Sequence, residues 1–132
     1  MLVIVVDDSP TIRKILEVGL GREGFTVLSF PDGVELLRWL VGPQGCAPDA
    51  IILDVRLPKI DGYKLAMRLR KRPEFRHTAM LMLSRYGGMK DRLFGRLAGA
   101  KEYLVKPVPV EEITAALRRA IGQQRCGSQL QE

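Results

Sequence analysis

The chain has 132 residues, 46% hydrophobic and 27% charged, a balance that predicts one soluble domain with a single core of ordinary size. No apolar run approaches the roughly 20 residues that span a bilayer, the short apolar N-terminus lacks the basic leader of a signal peptide, and the two cysteines, Cys46 and Cys126, are too few for a disulfide framework or a metal knuckle. A net charge of +6 invites an acidic partner without requiring nucleic acid, and the cysteine usage predicts a reduced, cytoplasmic setting.

Strand and helix signals alternate along the chain. Leu2–Val6 is a continuous apolar run, as expected of a strand covered on both faces. Pro10 opens a helix with Asp8 or Ser9 available as its cap, and Ile12, Ile15, Leu16, Gly19 and Leu20 keep helical spacing until Gly24 stops it. "FTVLSF" (25–30) predicts a second strand, after which Asp32 caps a helix carrying Leu36, Leu37 and Leu40. Pro43 and Gly45 punctuate the loop before "AIIL" (50–53), a third strand that runs into Asp54. A third helix is expected over roughly Asp61–Lys71, closed before Pro73. "AMLMLS" (79–84) predicts a fourth strand, Met89–Ala98 a helix, "EYLV" (102–105) a fifth strand, and Val110–Ile121 the last helix. Residues 123–132, "QQRCGSQLQE", lack periodicity and predict a frayed polar tail beyond a domain of residues 1–122.

Five such units in alternation predict an α/β fold, a mainly parallel sheet covered by helices on both faces, with ligands bound beyond the carboxyl ends of the strands. The residues just past each apolar run therefore carry the chemistry. The first strand delivers Asp7 and Asp8, the third Asp54, the fourth Ser84 and the fifth Lys106, while the second delivers only the turn "PDG". Unopposed carboxylates on one rim repel, so the cluster implies a hard cation with oxygen ligands, and Mg2+ suits a site with few protein carboxylates. Beside a metal and a lysine, one carboxylate can act as a nucleophile toward phosphorus.

The segments "VIVVDDSPTIRKIL", "DAIILDVRLPKIDGYKL", "LMLSRYGG" and "AKEYLVKPV" occur in this order, each around a predicted strand end. On them the chain resembles a bacterial response-regulator receiver domain of the CheY-like family. The stretch "MLSRYGGMKDRLFGRLAGAKEYLVKPV" further resembles regulators of pilus-based twitching motility. The resemblance implies a flavodoxin-like fold with strand order 2-1-3-4-5, and a single-domain signalling protein that catalyses only its own phosphorylation and dephosphorylation. It implies Asp54 as phosphoacceptor, taking the group from a phosphohistidine of a histidine kinase. Asp8 and Asp54 would ligate Mg2+ through their side chains, Arg56 through its backbone carbonyl, and Asp7 through water. Lys106 would pair with a phosphoryl oxygen, Ser84 would be the switch hydroxyl, and Tyr103 the aromatic switch. The surface of helix 4, strand 5 and helix 5 would be read by a downstream protein, and the bond before Pro107 is often cis in this family. The short tail leaves no room for an effector domain, so direct nucleic-acid binding is not expected, and the chain should act as a monomer or weak dimer without membrane insertion.

Some residues depart from common receiver patterns. Arg56 and Tyr86, each two positions past a site residue, are bulky enough to shield an acyl phosphate, and Arg85 replaces the small residue usual after Ser84. The alternatives are a phosphate sink or relay without its own output, a Mg-dependent aspartyl phosphatase, and a nucleic-acid-binding module. The phosphatase reading expects a second acid where Arg56 stands, and the nucleic-acid reading lacks a helix-turn-helix or an aromatic platform. "GLGREG" (19–24) matches a dinucleotide fingerprint in letters but closes a helix instead of opening one. His77 reads as a surface residue, Trp39 as core, and the basic run from Arg56 to Arg76 as a solvated face more readily than as a patch for an acidic partner.

Overall fold

A computed structural model describes the backbone of residues 1–131 and the side chains of residues 1–124. The apolar runs become five parallel strands, β1 (Leu2–Val6), β2 (Thr26–Phe30), β3 (Ala50–Leu53), β4 (Ala79–Ser84) and β5 (Glu102–Val105), in the order β2-β1-β3-β4-β5. Helices α1 (Pro10–Arg22), α2 (Gly33–Leu40), α3 (Gly62–Arg70), α4 (Met89–Ala98) and α5 (Val110–Gln131) connect or follow them, and a single 3-10 turn at Pro73–Phe75 precedes β4. Among the described residues no helix is long and apolar enough to cross a membrane.

Alternation along each strand divides the apolar side chains between two cores. Val3 and Val5 of β1, Ile52 of β3, and Leu81 and Leu83 of β4 pack with Leu16 and Leu20 of α1 and Leu117 of α5. Ile4, Val6, Ile51, Leu53 and Met82 point to the other face and pack with Leu36 of α2 and Leu65 and Leu69 of α3. Both faces of the central strands are thus dry, which is why their sequences read as unbroken apolar runs.

Three helices start on side-chain caps. Ser9 Oγ accepts from the Ile12 N–H, Asp32 from the Glu35 N–H and Asp61 from the Lys64 N–H, at 3.3, 2.8 and 2.9 Å. Ser9, not Asp8, therefore caps α1, so the cap does not account for Asp8. The backbone of α5 continues to Gln131, beyond the predicted end at Ile121 and through most of the expected frayed tail. Residues 122–131 contain no proline to end the helix.

Register sets the site. Val6 pairs with Leu53, and the Asp54 N–H donates to the Val6 carbonyl at 3.0 Å, so Asp7 and Asp54 leave the sheet side by side. Ser84 pairs with Val105, and the Lys106 N–H donates to the Ser84 carbonyl at 2.7 Å. Gly62 holds this rim from below. Its N–H donates to the Val55 carbonyl at 2.9 Å, and a Cβ there would collide with the Asp54 carbonyl and lie 2.9 Å from Val55 Cα.

Because that obstacle is backbone, Gly62→Ala is expected to destabilise the fold by about 1–3 kcal/mol through overpacking. Urea denaturation measures this, and an unchanged midpoint would show that the α3 start can move freely.

Candidate functional site

Burial and charge act against each other at the sheet's carboxyl rim. Asp7 and Asp54 are 2% and 8% exposed, while Asp8 beside them is open to solvent. Each of the three offers a carboxylate oxygen within 4.8 Å of the others'. Lys106 Nζ reaches in from the end of β5 and donates to Asp7 Oδ2 at 2.8 Å and to Asp54 Oδ2 at 3.1 Å. The remaining oxygens accept backbone N–H groups, Asp7 Oδ1 from Ser9 at 2.9 Å and Asp54 Oδ1 from Arg56 at 3.2 Å.

One ammonium is shared by two carboxylates, and the two sides respond differently. Burial would lower the Lys106 pKa, but its hydrogen bond to Asp7 and the charges of Asp54 and Asp7 outweigh it and hold the lysine above its ordinary value. Asp54 is raised, first by burial and then by the neighbouring Asp7, against the partial relief that Lys106 and the Arg56 N–H supply. The nearer partner of the lysine is Asp7, so Asp54 is left the less compensated of the two acids. A donor set of three carboxylates with one cation fits a divalent metal with oxygen ligands, and Asp7, Asp8 and Asp54 are the side chains that would surround it.

A cleft of about 250 Å3 opens on this cluster, lined by Asp7, Asp8, Ser9, Ile12, Asp54, Lys106 and, on the far wall, Arg56, Arg85 and Tyr86. The Arg56 guanidinium stacks over the Tyr86 ring at 4.5 Å. Ser84 is fully buried at the end of β4 and does not line the cleft, and its Oγ accepts from the Tyr86 N–H at 3.2 Å. The Tyr103 hydroxyl donates to the Tyr86 carbonyl at 2.6 Å. Arg85 is exposed and leaves that contact unobstructed. The Lys106–Pro107 bond is cis.

Two residues at this corner carried no sequence signal. The Tyr63 hydroxyl, from α3, donates to the Asp91 carbonyl at 3.0 Å and lies 3.4 Å from the Tyr103 hydroxyl, and burial together with Tyr103 raises its pKa. Arg92 of α4 donates to the Gly87 carbonyl at 3.1 Å with its guanidinium 5.7 Å from the Tyr103 ring centre. Tyr63 and Arg92 read as ordinary helix residues, and only packing brings them to Tyr103.

The remaining sequence features fall elsewhere. Gly19 and Gly21 lie in the last turns of α1 with Gly24 just beyond, His77 is exposed, and Trp39 is half-buried against Phe30 at 5.6 Å. Cys46 is exposed, and the Cys126 side chain lies outside the described residues.

The family profile described as "Response regulator receiver domain" matches residues 3–118. The chain is similar to Protein PilG of Pseudomonas aeruginosa, 34% identical over 116 residues that make up 88% of this chain and 84% of that protein. It is also similar to the probable transcriptional regulator ycf27 of Guillardia theta, 37% identical over 119 residues covering 90% of this chain but only 44% of the relative. It thus spans under half the length of that regulator. Among solved structures, the receiver domain of a sensor histidine kinase from Pseudomonas aeruginosa, with a magnesium ion coordinated in its active-site cleft, superposes with a TM-score of 0.79 at 30% identity, covering 92% of this chain and 97% of that one.

Without metal, Lys106→Met is expected to destabilise the fold by about 3–5 kcal/mol near neutral pH, since it leaves two buried acids unpaired. A lysine raised in the folded state stabilises fully below its ordinary value near 10.5, and that contribution is lost as pH rises through the folded value. Asp54 acts oppositely, its ionisation costing stability as pH climbs from 3.8 through its raised value. Urea titrations should therefore show a wild-type advantage that is constant from pH 7 to about 10 and narrows above; an advantage that persists at higher pH would contradict the ion pair.

Proposed function

The chain belongs to the response regulator receiver family of two-component signalling, and on that premise we propose that Asp54 accepts a phosphoryl group from a phosphohistidine of a partner histidine kinase. The observation that carries the proposal is Lys106 Nζ between Asp7 and Asp54, with Asp8 alongside, at the mouth of one cleft. An Asp54 carboxylate oxygen bonds to phosphorus as the bond from phosphorus to the imidazole nitrogen breaks, and its electron pair returns to the ring. Lys106, already an ion-pair partner of this carboxylate, then pairs with a phosphoryl oxygen. A magnesium ion held by Asp8, Asp54 and the Arg56 backbone carbonyl, with Asp7 acting through water, would supply the positive charge that offsets the transferring group. The magnesium in the similar Pseudomonas receiver supports this assignment.

The switch works through the backbone on either side of Tyr86. Phosphorylation adds roughly −1.5 to −2 charge with strong acceptors beside Asp54. Ser84 is drawn toward them, and because its hydroxyl holds the Tyr86 N–H, the move displaces the carbonyl that anchors Tyr103. The face of α4, β5 and α5 changes population as a result and is read by a downstream protein. Similarity to PilG over most of that protein supports an output of the pilus-motility type. Arg56 stacked on Tyr86 walls the cleft against attacking water, so the phosphorylated form hydrolyses slowly.

Acetyl phosphate with Mg2+ is expected to give one stoichiometric adduct by mass spectrometry, absent in Asp54→Asn and absent without metal. Continuous release of phosphate over many turnovers would instead favour a phosphatase. Arg56→Ala and Tyr86→Ala should each speed loss of the label severalfold; rates equal to wild type would remove the shielding role.

A further inference from the structure

The opposite end of the sheet carries the reverse charge pattern. A cavity of about 680 Å3 opens beneath β4 and β5, with Phe75, Thr78 and Met80 as its buried floor. Its walls bring together Arg70 from α3, Arg72 and Arg76 around the 3-10 turn, Arg96 from α4 and Lys101 from the turn before β5. Arg72 is neutralised by Glu74 at 2.7 Å, but none of the ion pairs among the described residues involves Arg70, Arg76, Arg96 or Lys101.

These cations are positioned by the fold. Gly99 closes α4 at a φ of +108°, and the space its missing Cβ leaves is occupied by the Arg70 side chain. Gln124 of α5 donates to the Arg76 carbonyl at 2.6 Å, and the Lys101 N–H donates to the Met80 carbonyl at 2.7 Å. Four like charges lining one concavity give it a positive potential that favours an anion. The volume lies within the roughly 300–1,000 Å3 of ligand sites. Planar guanidinium groups match phosphate oxygens in pairs, and three of the four uncompensated cations are arginines.

We propose that this cavity binds a compact oligophosphate anion, either an inorganic phosphate chain or the phosphate chain of a nucleotide. It lies at the amino end of β4, a strand of six residues that runs about 17 Å at 3.3 Å per residue to Ser84 at its far end, beside the carboxyl rim. The site is therefore separate from phosphoryl transfer at Asp54.

Calorimetric titration of the full chain with inorganic tripolyphosphate and with ATP, in metal-free buffer, tests this. Saturable binding at one site is expected, unchanged in Asp54→Asn. It should be weakened roughly tenfold for each charge-assisted contact removed in Arg76→Gln and Lys101→Gln, both exposed positions whose folding is checked by thermal melts. Equal affinity for the two probes assigns the phosphate chain alone; tighter ATP binding assigns a nucleotide. Absence of saturation, equal weakening by Lys14→Gln with Arg22→Gln on α1, or tighter binding of duplex DNA or polyglutamate than of tripolyphosphate would each overturn the proposal.

Discussion

The ammonium of Lys106, shared between two buried carboxylates, is the interaction on which the carboxyl rim depends. It joins residues 99 and 52 positions apart in sequence and closes the site across three strands. Its arithmetic is incomplete by design of the register: one positive charge faces Asp7 and Asp54 directly, with Asp8 at the solvent edge. The residual negative charge makes the rim a place for a cation, and the elevated Asp54 is the acid the lysine compensates least.

One residue, Tyr86, ties that rim to its surroundings. Tyr86 gives its N–H to Ser84, its carbonyl to Tyr103 and its ring to Arg56, so the loop after β4 cannot move without altering the cleft wall, the buried hydroxyl and the aromatic together. Tyr63 and Arg92 extend the same network into α3 and α4. Such contacts make discrete alternatives more natural than gradual deformation, because each hydrogen bond is either kept or exchanged for another.

Charge is segregated along the strands. Acids gather where the strands end, and cations outside the ion pairs of the described residues where β4 and β5 begin, and the net charge of +6 is an average over both. Read as one dimension, the basic residues between Arg56 and Arg76 look like a solvated face, and several are: Lys59 and Lys64 are exposed and face Asp32 and Asp61. Arg70 and Arg76 differ only because Arg96 and Lys101, far along the chain, meet them.

Local rules written in the amino-acid order determined the elements, their caps and the residues that leave each strand end. Unbroken apolar runs mark strands dry on both faces, a serine or aspartate three residues before an amide caps a helix, and Asp54 follows β3 in any register. The choice of Ser9 over Asp8 as cap, the helical continuation to Gln131, the burial of Ser84 away from the cleft, and the meeting of Tyr63, Arg92 and Tyr103 were decided only in the folded chain. The same holds for the basic cavity. Periodicity reports which face of an element is buried, whereas these features depend on which elements share a corner, and that is set by packing between segments distant in sequence.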